Sequence, residues 1–388
     1  MTSVDVTNKD DVWIKAAAIG SIWASFEIVV GGFLHAVRMP FAGTFLTFFS
    51  VALLTAFARR YRRKGLFWRA ALVAALLRSV MPTTVIFGPL IAIILEGLLF
   101  EAAVRLLGFR LAAYILAGMA AMFSAILHKI VSLLILYGGD MIPLAKQLYY
   151  MFLHATGWHL PPRQLALWVA LIYTVAGTAA ALLGWQAGRP DTGRPETVSF
   201  DGHHAGFPSW KLPDRFQYRH RLIFAHIGAL VFFLAALEWA PLPYVVGPLA
   251  LYEWWLLRRY GRSMRRLAKP YFWFQLLLIL ALAVWLWNDK AEGLTVGLKM
   301  ILRALLLVSV FSAIGTELRN PLVYQLLVRK GWTPLYHALQ AAMRTLPAIV
   351  AYLGRSGGDW IRPVRMMRRI LQASESVIQQ MARHYETR

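Results

Sequence analysis

Apolar residues fall along this chain in long unbroken runs, without the strict alternation of a half-buried strand. The runs are Ile14 to Val37, Phe41 to Ala58, Leu66 to Met81, Val85 to Leu107, Leu111 to Tyr137 and Leu165 to Ala187. A second group follows: Leu222 to Trp239, Tyr244 to Leu257, Tyr271 to Trp287 and Leu294 to Ile314. Most approach the roughly 20 residues that a helix needs to cross about 30 Å of hydrocarbon. Backbone polar groups inside lipid must be satisfied by a helix or a closed barrel, and barrel strands alternate. The pattern therefore predicts an all-α, polytopic helical membrane protein with about ten transmembrane helices in two bundles.

The breaks between runs carry turn chemistry or charge. Pro82-Thr83-Thr84, Gly138-Gly139-Asp140, the Pro241/Pro243 pair and Asn288 to Glu292 read as turns. Pro143 to Leu160 is mixed, with Lys146, His154, His159 and several aromatics, and is expected as an amphipathic helix in the outer headgroup region. Arg189 to Tyr218 holds Pro190, Pro195, Pro208 and Pro213 among glycines and charges of both signs, the composition of a linker. The expected units are a six-helix membrane domain at 1–188, a cytosolic linker at 189–218 and a second membrane domain at 219–388.

Composition agrees. Hydrophobic residues make up 59% of the chain and charged residues only 15%, against about 25% charged in a soluble domain. The net charge of +22 does not point to nucleic acid, because the basic residues gather at the ends of apolar runs. Anionic lipid headgroups and a cytosolic face account for them. The block Arg59, Arg60, Arg62, Arg63, Lys64 and the later Arg258, Arg259, Arg262, Arg265, Arg266, Lys269 are the strongest cytosolic markers. They place the N-terminus inside and the chain in the cytoplasmic (inner) membrane. The polar, acidic start has no basic n-region and no cleavage site, so no cleaved signal peptide is expected. There is no cysteine, hence no disulfide framework or thiolate metal site.

Leu335 to Leu353 is apolar but interrupted by His337, Gln340, Arg344 and Pro347. If it crossed, Arg355, Arg362, Arg365, Arg368 and Arg369 would lie outside, against the charge rule. Residues 317–388 are therefore expected as a cytosolic, partly interfacial helical region. Its basic helices would lie on the inner leaflet or dock another protein.

Ionisable groups within the runs are the candidates for function. Trp23, Glu27 and Gly31 step by four and share a face, with His35 beyond them. They form either the wall of a substrate pocket or a polar contact used for assembly. Arg69 and Arg78 fall on opposite faces, Arg69 snorkelling inward and Arg78 meeting Glu27 or an anionic substrate. Glu101 and Arg105 pair at i, i+4, which leaves Glu96 as the better site candidate. Of His128 and Lys129 one faces inward, and Lys129 needs an anionic partner such as Glu27 or Glu96. No phosphate loop or H-E-x-x-H occurs, and His203-His204 lacks further ligands at zinc-like spacing.

The first half, with six runs, a small-residue-rich first helix and Trp23-x-x-x-Glu27-x-x-x-Gly31, resembles the substrate-binding S component of energy-coupling factor (ECF) transporters. The second half is similar to their T component between Gly297 and Tyr352. The matching positions are Leu302-Arg303-Ala304, Thr316-Glu317-Leu318, Lys330-Gly331-Trp332-Thr333-Pro334, and Ala338 to Pro347, whose Arg344 and Pro347 fit an R-x-x-P run. Where that family carries Ala-Arg-Gly motifs for docking its ATPases, this chain has Gly354-Arg355-Ser356-Gly357 and the basic stretch Arg362 to Arg369.

The resemblance implies uptake of a small, vitamin-like micronutrient powered by separate ABC-type ATPase subunits, with ATP on the partners and no cofactor in this chain. Trp23, Glu27, His35, Arg78, Glu96, His128 and Lys129 would serve the substrate. Arg344, Arg355, Arg362, Arg365, Arg368 and Arg369 would serve the partner. An intramembrane enzyme acting on a lipid substrate, or a non-catalytic scaffold, remain the competing readings of the same residues.

Overall fold

A computed structural model describes residues 8–37, 39, 41–80, 87–157, 161–189, 219–261, 264, 267, 269–287, 289–318, 332–355 and 363–386. The turn at Pro82-Thr83-Thr84, His159, the linker 190–218, Arg262, Arg265, Arg266, Lys330-Gly331 and Arg362 lie outside the described residues, as do the side chains of His35 and Arg355.

Among the described residues there are thirteen helices and no strand. They are α1 (Asn8–Ala36), α2 (Ala42–Arg60), α3 (Leu66–Val80), α4 (Phe87–Leu107), α5 (Leu111–Tyr137), α6 (Met141–Thr156) and α7 (Pro162–Ala187). The second half adds α8 (His220–Trp239), α9 (Leu242–Tyr260), α10 (Pro270–Leu286), α11 (Lys290–Leu318), α12 (Thr333–Arg355) and α13 (Pro363–Glu386). Each apolar run has become one helix. Among the described residues, six helices are long and apolar enough to cross a membrane: residues 11–34 of α1, α2, α5, α7, residues 221–239 of α8 and residues 290–317 of α11. The helix α10 is apolar but shorter, while α4 carries Glu96, Glu101 and Arg105 and α9 carries Glu253, Arg258 and Arg259.

These apolar helices differ in what covers them. Of the most apolar stretch of α1, 78% is buried inside the protein, against 11% for α5 and 17% for α8. So α1 is a central helix, enclosed by α2, α3, α12 and α13, whereas α5 and α8 turn their leucines and aromatics outward. Small residues make the enclosure possible: Ala16, Ala17, Ala18 and Ala24 are fully buried. Ser21 and Ser25 donate their hydroxyls to the carbonyls of Ala17 and Ser21, at 2.6 and 2.7 Å, so no polar atom is stranded there. Where α5 crosses α7, Gly118 meets Gly177 backbone to backbone. A Cβ on Gly177 would stand 2.6 Å from the Gly118 carbonyl carbon, so any larger residue forces these helices apart.

The second group has its own core. Phe233, Leu237, Leu249, Leu256, Tyr260, Leu306, Val310 and Ala313 join α8, α9 and α11. Leu144 of α6 packs with Val296 and Met300 of α11, which connects the two halves.

The C-terminal helices show where an amphipathic face can hide. Leu335, Ala338, Leu339, Ala342, Leu346, Ile349 and Leu353 recur every three or four residues on α12. Met366, Met367, Ile370, Leu371, Val377 and Met381 do the same on α13. Both stripes belong to the same core cluster as α1 to α4. The sequence groups 317–388 with the second domain, as basic helices on the inner leaflet or docking another protein. The apolar stripes of α12 and α13 pack with α1, and Arg60 of α2 pairs with Glu375 of α13.

Candidate functional site

Four helices of the first half converge on a buried polar cluster. The face predicted on α1 is real: Trp23, Glu27 and Gly31 all point into the protein. From α2 come Thr47 and Ser50, one turn apart; from α3, Arg78; from α4, Glu96. Trp23 Nε1 donates to Ser50 Oγ at 2.8 Å, and Thr47 Oγ1 donates to Glu96 Oε1 at 2.6 Å. The rings of Phe26 and Phe49 lie nearly parallel, with centroids 3.3 Å apart. Gly31 lies beside Arg78: a Cβ there would stand in ordinary contact with Nη2, 3.5 Å away.

Charges in this cluster are gathered but not closed into pairs. Glu27 lies within electrostatic range of both Arg78 and Glu96, yet forms no ion pair of contact length with Arg78. Arg78 is 2% exposed, and its Nε and Nη2 have no hydrogen-bond partner. Glu96 is 4% exposed, and its Oε2 has none either. Unsatisfied buried groups are expensive and tend to concentrate where a protein binds something.

The other sequence candidates separate. Glu101 accepts from Arg105 Nε at 2.8 Å, as the i, i+4 spacing predicts. It also accepts from the backbone N–H groups of Gly65 and Phe67, so this carboxylate caps the start of α3. Arg69 bonds the Gly65 carbonyl and lies against the rings of Trp13 and Trp68, on the face opposite Arg78. Lys129 does not reach Glu27 or Glu96. It is exposed, and its ammonium stands 4.6 Å from the centre of the Phe41 ring; a cation over an aromatic face replaces the expected carboxylate partner. His128 is half-exposed. On the tail, Arg344, Arg365 and Arg369 are exposed and Arg368 is half-buried, so a basic face is left on the side of α12 and α13 away from α1.

A second polar network went unread in the sequence. His226 of α8 is buried between two tyrosines of α9: Nδ1 lies 2.8 Å from Tyr252 Oη and Nε2 lies 3.1 Å from Tyr260 Oη. Tyr260 donates to Glu317 Oε1 at 2.7 Å. Glu317, fully buried near the end of α11, also takes Arg259 Nη2 at 3.3 Å and the Arg219 backbone N–H at 2.8 Å. Because the Tyr260 hydroxyl hydrogen goes to Glu317, its oxygen accepts from His226 Nε2–H, and Nδ1 accepts from Tyr252. Three helix ends are tied at one carboxylate. Elsewhere, Arg303 of α11 pairs with Glu238 of α8 and presses on Gly138, whose φ of 81° and missing side chain admit the guanidinium.

Comparison with protein-family models, curated proteins and solved structures finds no match to this chain.

Proposed function

We propose that the chain is a membrane component of an ECF-type transporter that takes up a small micronutrient and is powered by separate ATPase subunits. In this reading ten helices cross the cytoplasmic membrane: α1 to α5, α7 and α8 to α11. The helix α6 lies at the outer surface, and both termini are cytosolic. Trp23, Glu27, Arg78 and Glu96 form the polar wall that meets the substrate. The observation that carries the reading is the path of the C-terminus: two helices that follow the second group of spans lie along α1 of the first group. A helix that touches both a buried polar site and a pair of basic amphipathic helices is suited to pass motion between a ligand and a soluble motor. The exposed face with Arg344, Arg365 and Arg369 is complementary to an acidic groove.

The test is purification of the tagged protein in mild detergent, with mass spectrometry of whatever proteins and small molecules accompany it. An ATPase pair and a retained micronutrient are expected. Changing Arg365, Arg368 and Arg369 to Glu should release the ATPases and leave the small molecule bound. A partnerless preparation that turns over lipid by itself would replace the transport reading with the enzymatic one.

A further inference from the structure

The Glu27–Arg78–Glu96 cluster has an unbalanced charge. It holds two carboxyl groups and one guanidinium, all three nearly sealed from solvent at 4%, 2% and 4% exposure. Among the described residues, no charged group besides these three lies within electrostatic range of either carboxyl group. On α2 the facing groups are the hydroxyls of Thr47 and Ser50. On α3 the second arginine, Arg69, lies on the other face between tryptophans. The basic groups of α5, His128 and Lys129, are half-exposed and exposed, and its other titratable groups are the phenols Tyr114 and Tyr137. On α12, Arg344 is exposed and His337 half-buried; on α13, Arg365 and Arg369 are exposed, Arg368 is half-buried, and Glu375 pairs with Arg60. On α4 itself, Glu101 is taken by Arg105 and the start of α3. On α1, the only other described charges are Asp11 and Lys15, and they pair with each other at 2.7 Å.

One carboxylate balances Arg78. A second, ionised in the same sealed and low-dielectric place, would stand uncompensated, which proteins avoid by neutralising the group. We infer that Glu27 and Glu96 together bind one exchangeable proton, with Arg78 setting the number at one. Glu27 has Arg78 as its counter-charge, whereas Glu96 touches only neutral hydroxyls and has Oε2 without a partner. The proton therefore rests on Glu96 Oε2. Its presence links occupancy to pH: a cationic group entering the cluster displaces one H⁺, while a neutral ligand displaces none. The inference concerns the charge state of the cluster and does not depend on what the protein transports.

The charge count makes a test that simple burial would fail. Difference infrared spectra of the purified protein in nanodiscs, in H₂O and D₂O at neutral pH, report the carbonyl stretch of protonated carboxyl groups. Subtracting each variant from the parent isolates this cluster from other acids such as Glu253. Glu96→Gln removes one protonated carboxyl. Glu27→Gln also removes one, because Glu96 then ionises to balance Arg78. Arg78→Gln adds one, and Arg78→Lys leaves the count unchanged. Gel filtration shows which variants stay monodisperse, and the two Glu→Gln variants decide the matter if Arg78 variants do not. If Glu27→Gln keeps the Glu96 band, burial alone holds the proton and the charge-balance proposal is wrong. If Glu96→Gln removes no band, the cluster binds no proton and the proposal is likewise wrong.

Discussion

Tyr260 is the residue through which three helices communicate. Its hydroxyl accepts from His226, donates to Glu317 and lies 3.1 Å from Arg259 Nε. Hydrogen bonds to charged groups contribute about 1.5–3 kcal/mol each in measured series. Tyr260→Phe keeps the ring in its packing and removes the hydroxyl, so a loss of that order in stability is expected, read as a lower unfolding temperature in detergent. Glu317 keeps Arg259 and the Arg219 N–H in that variant, so the protein should still fold. An unchanged unfolding temperature would mean that the network is slack. Rarity made Glu27, Arg78 and Glu96 visible in the sequence, since a charge within an apolar run has few neutral explanations. His226, Tyr252 and Tyr260 were invisible for the opposite reason. Histidine and tyrosine near the end of an apolar run are ordinary interfacial residues, and only the meeting of α8, α9 and α11 turns them into a network. Lys129 finds no carboxylate because its partner is set by helix orientation, which turns it to the Phe41 ring.

At the scale of elements, α12 and α13 are bound by their apolar stripes rather than by charge. Ala342 of α12 is fully buried in the core that contains α1. Adding methylenes to such a site costs about 1–3 kcal/mol. Ala342→Leu should therefore destabilise the protein by that amount, whereas Arg344→Ala, two residues on and exposed, should stay within about 0.5 kcal/mol. Thermal unfolding of both variants separates the buried face from the free one. Helix bounds were readable to within a few residues, because apolar runs end at basic blocks, prolines and glycines. The seat of α12 and α13 was not. An amphipathic helix has the same pattern whether its apolar face meets lipid, a partner or its own chain.

For the whole molecule, the packing unit and the sequence unit do not coincide. The chain's first 188 residues hold α1 to α7, but one flank of α1 is covered by α12 and α13, from Thr333–Arg355 and Pro363–Glu386. A fragment of residues 1–188 purified alone should aggregate or unfold at lower temperature than the full chain. Co-expression with residues 332–388 should restore a monodisperse complex. A fragment as stable as the full chain would show that the docking contributes little.

This arrangement has a consequence for synthesis. The helix α1 is enclosed by two helices made about 300 residues after it, so it leaves the ribosome with one flank unfinished and waits for that cover while the intervening helices are made. Its alanines and serines suit a late cover, because small side chains let the arriving helices approach its backbone closely.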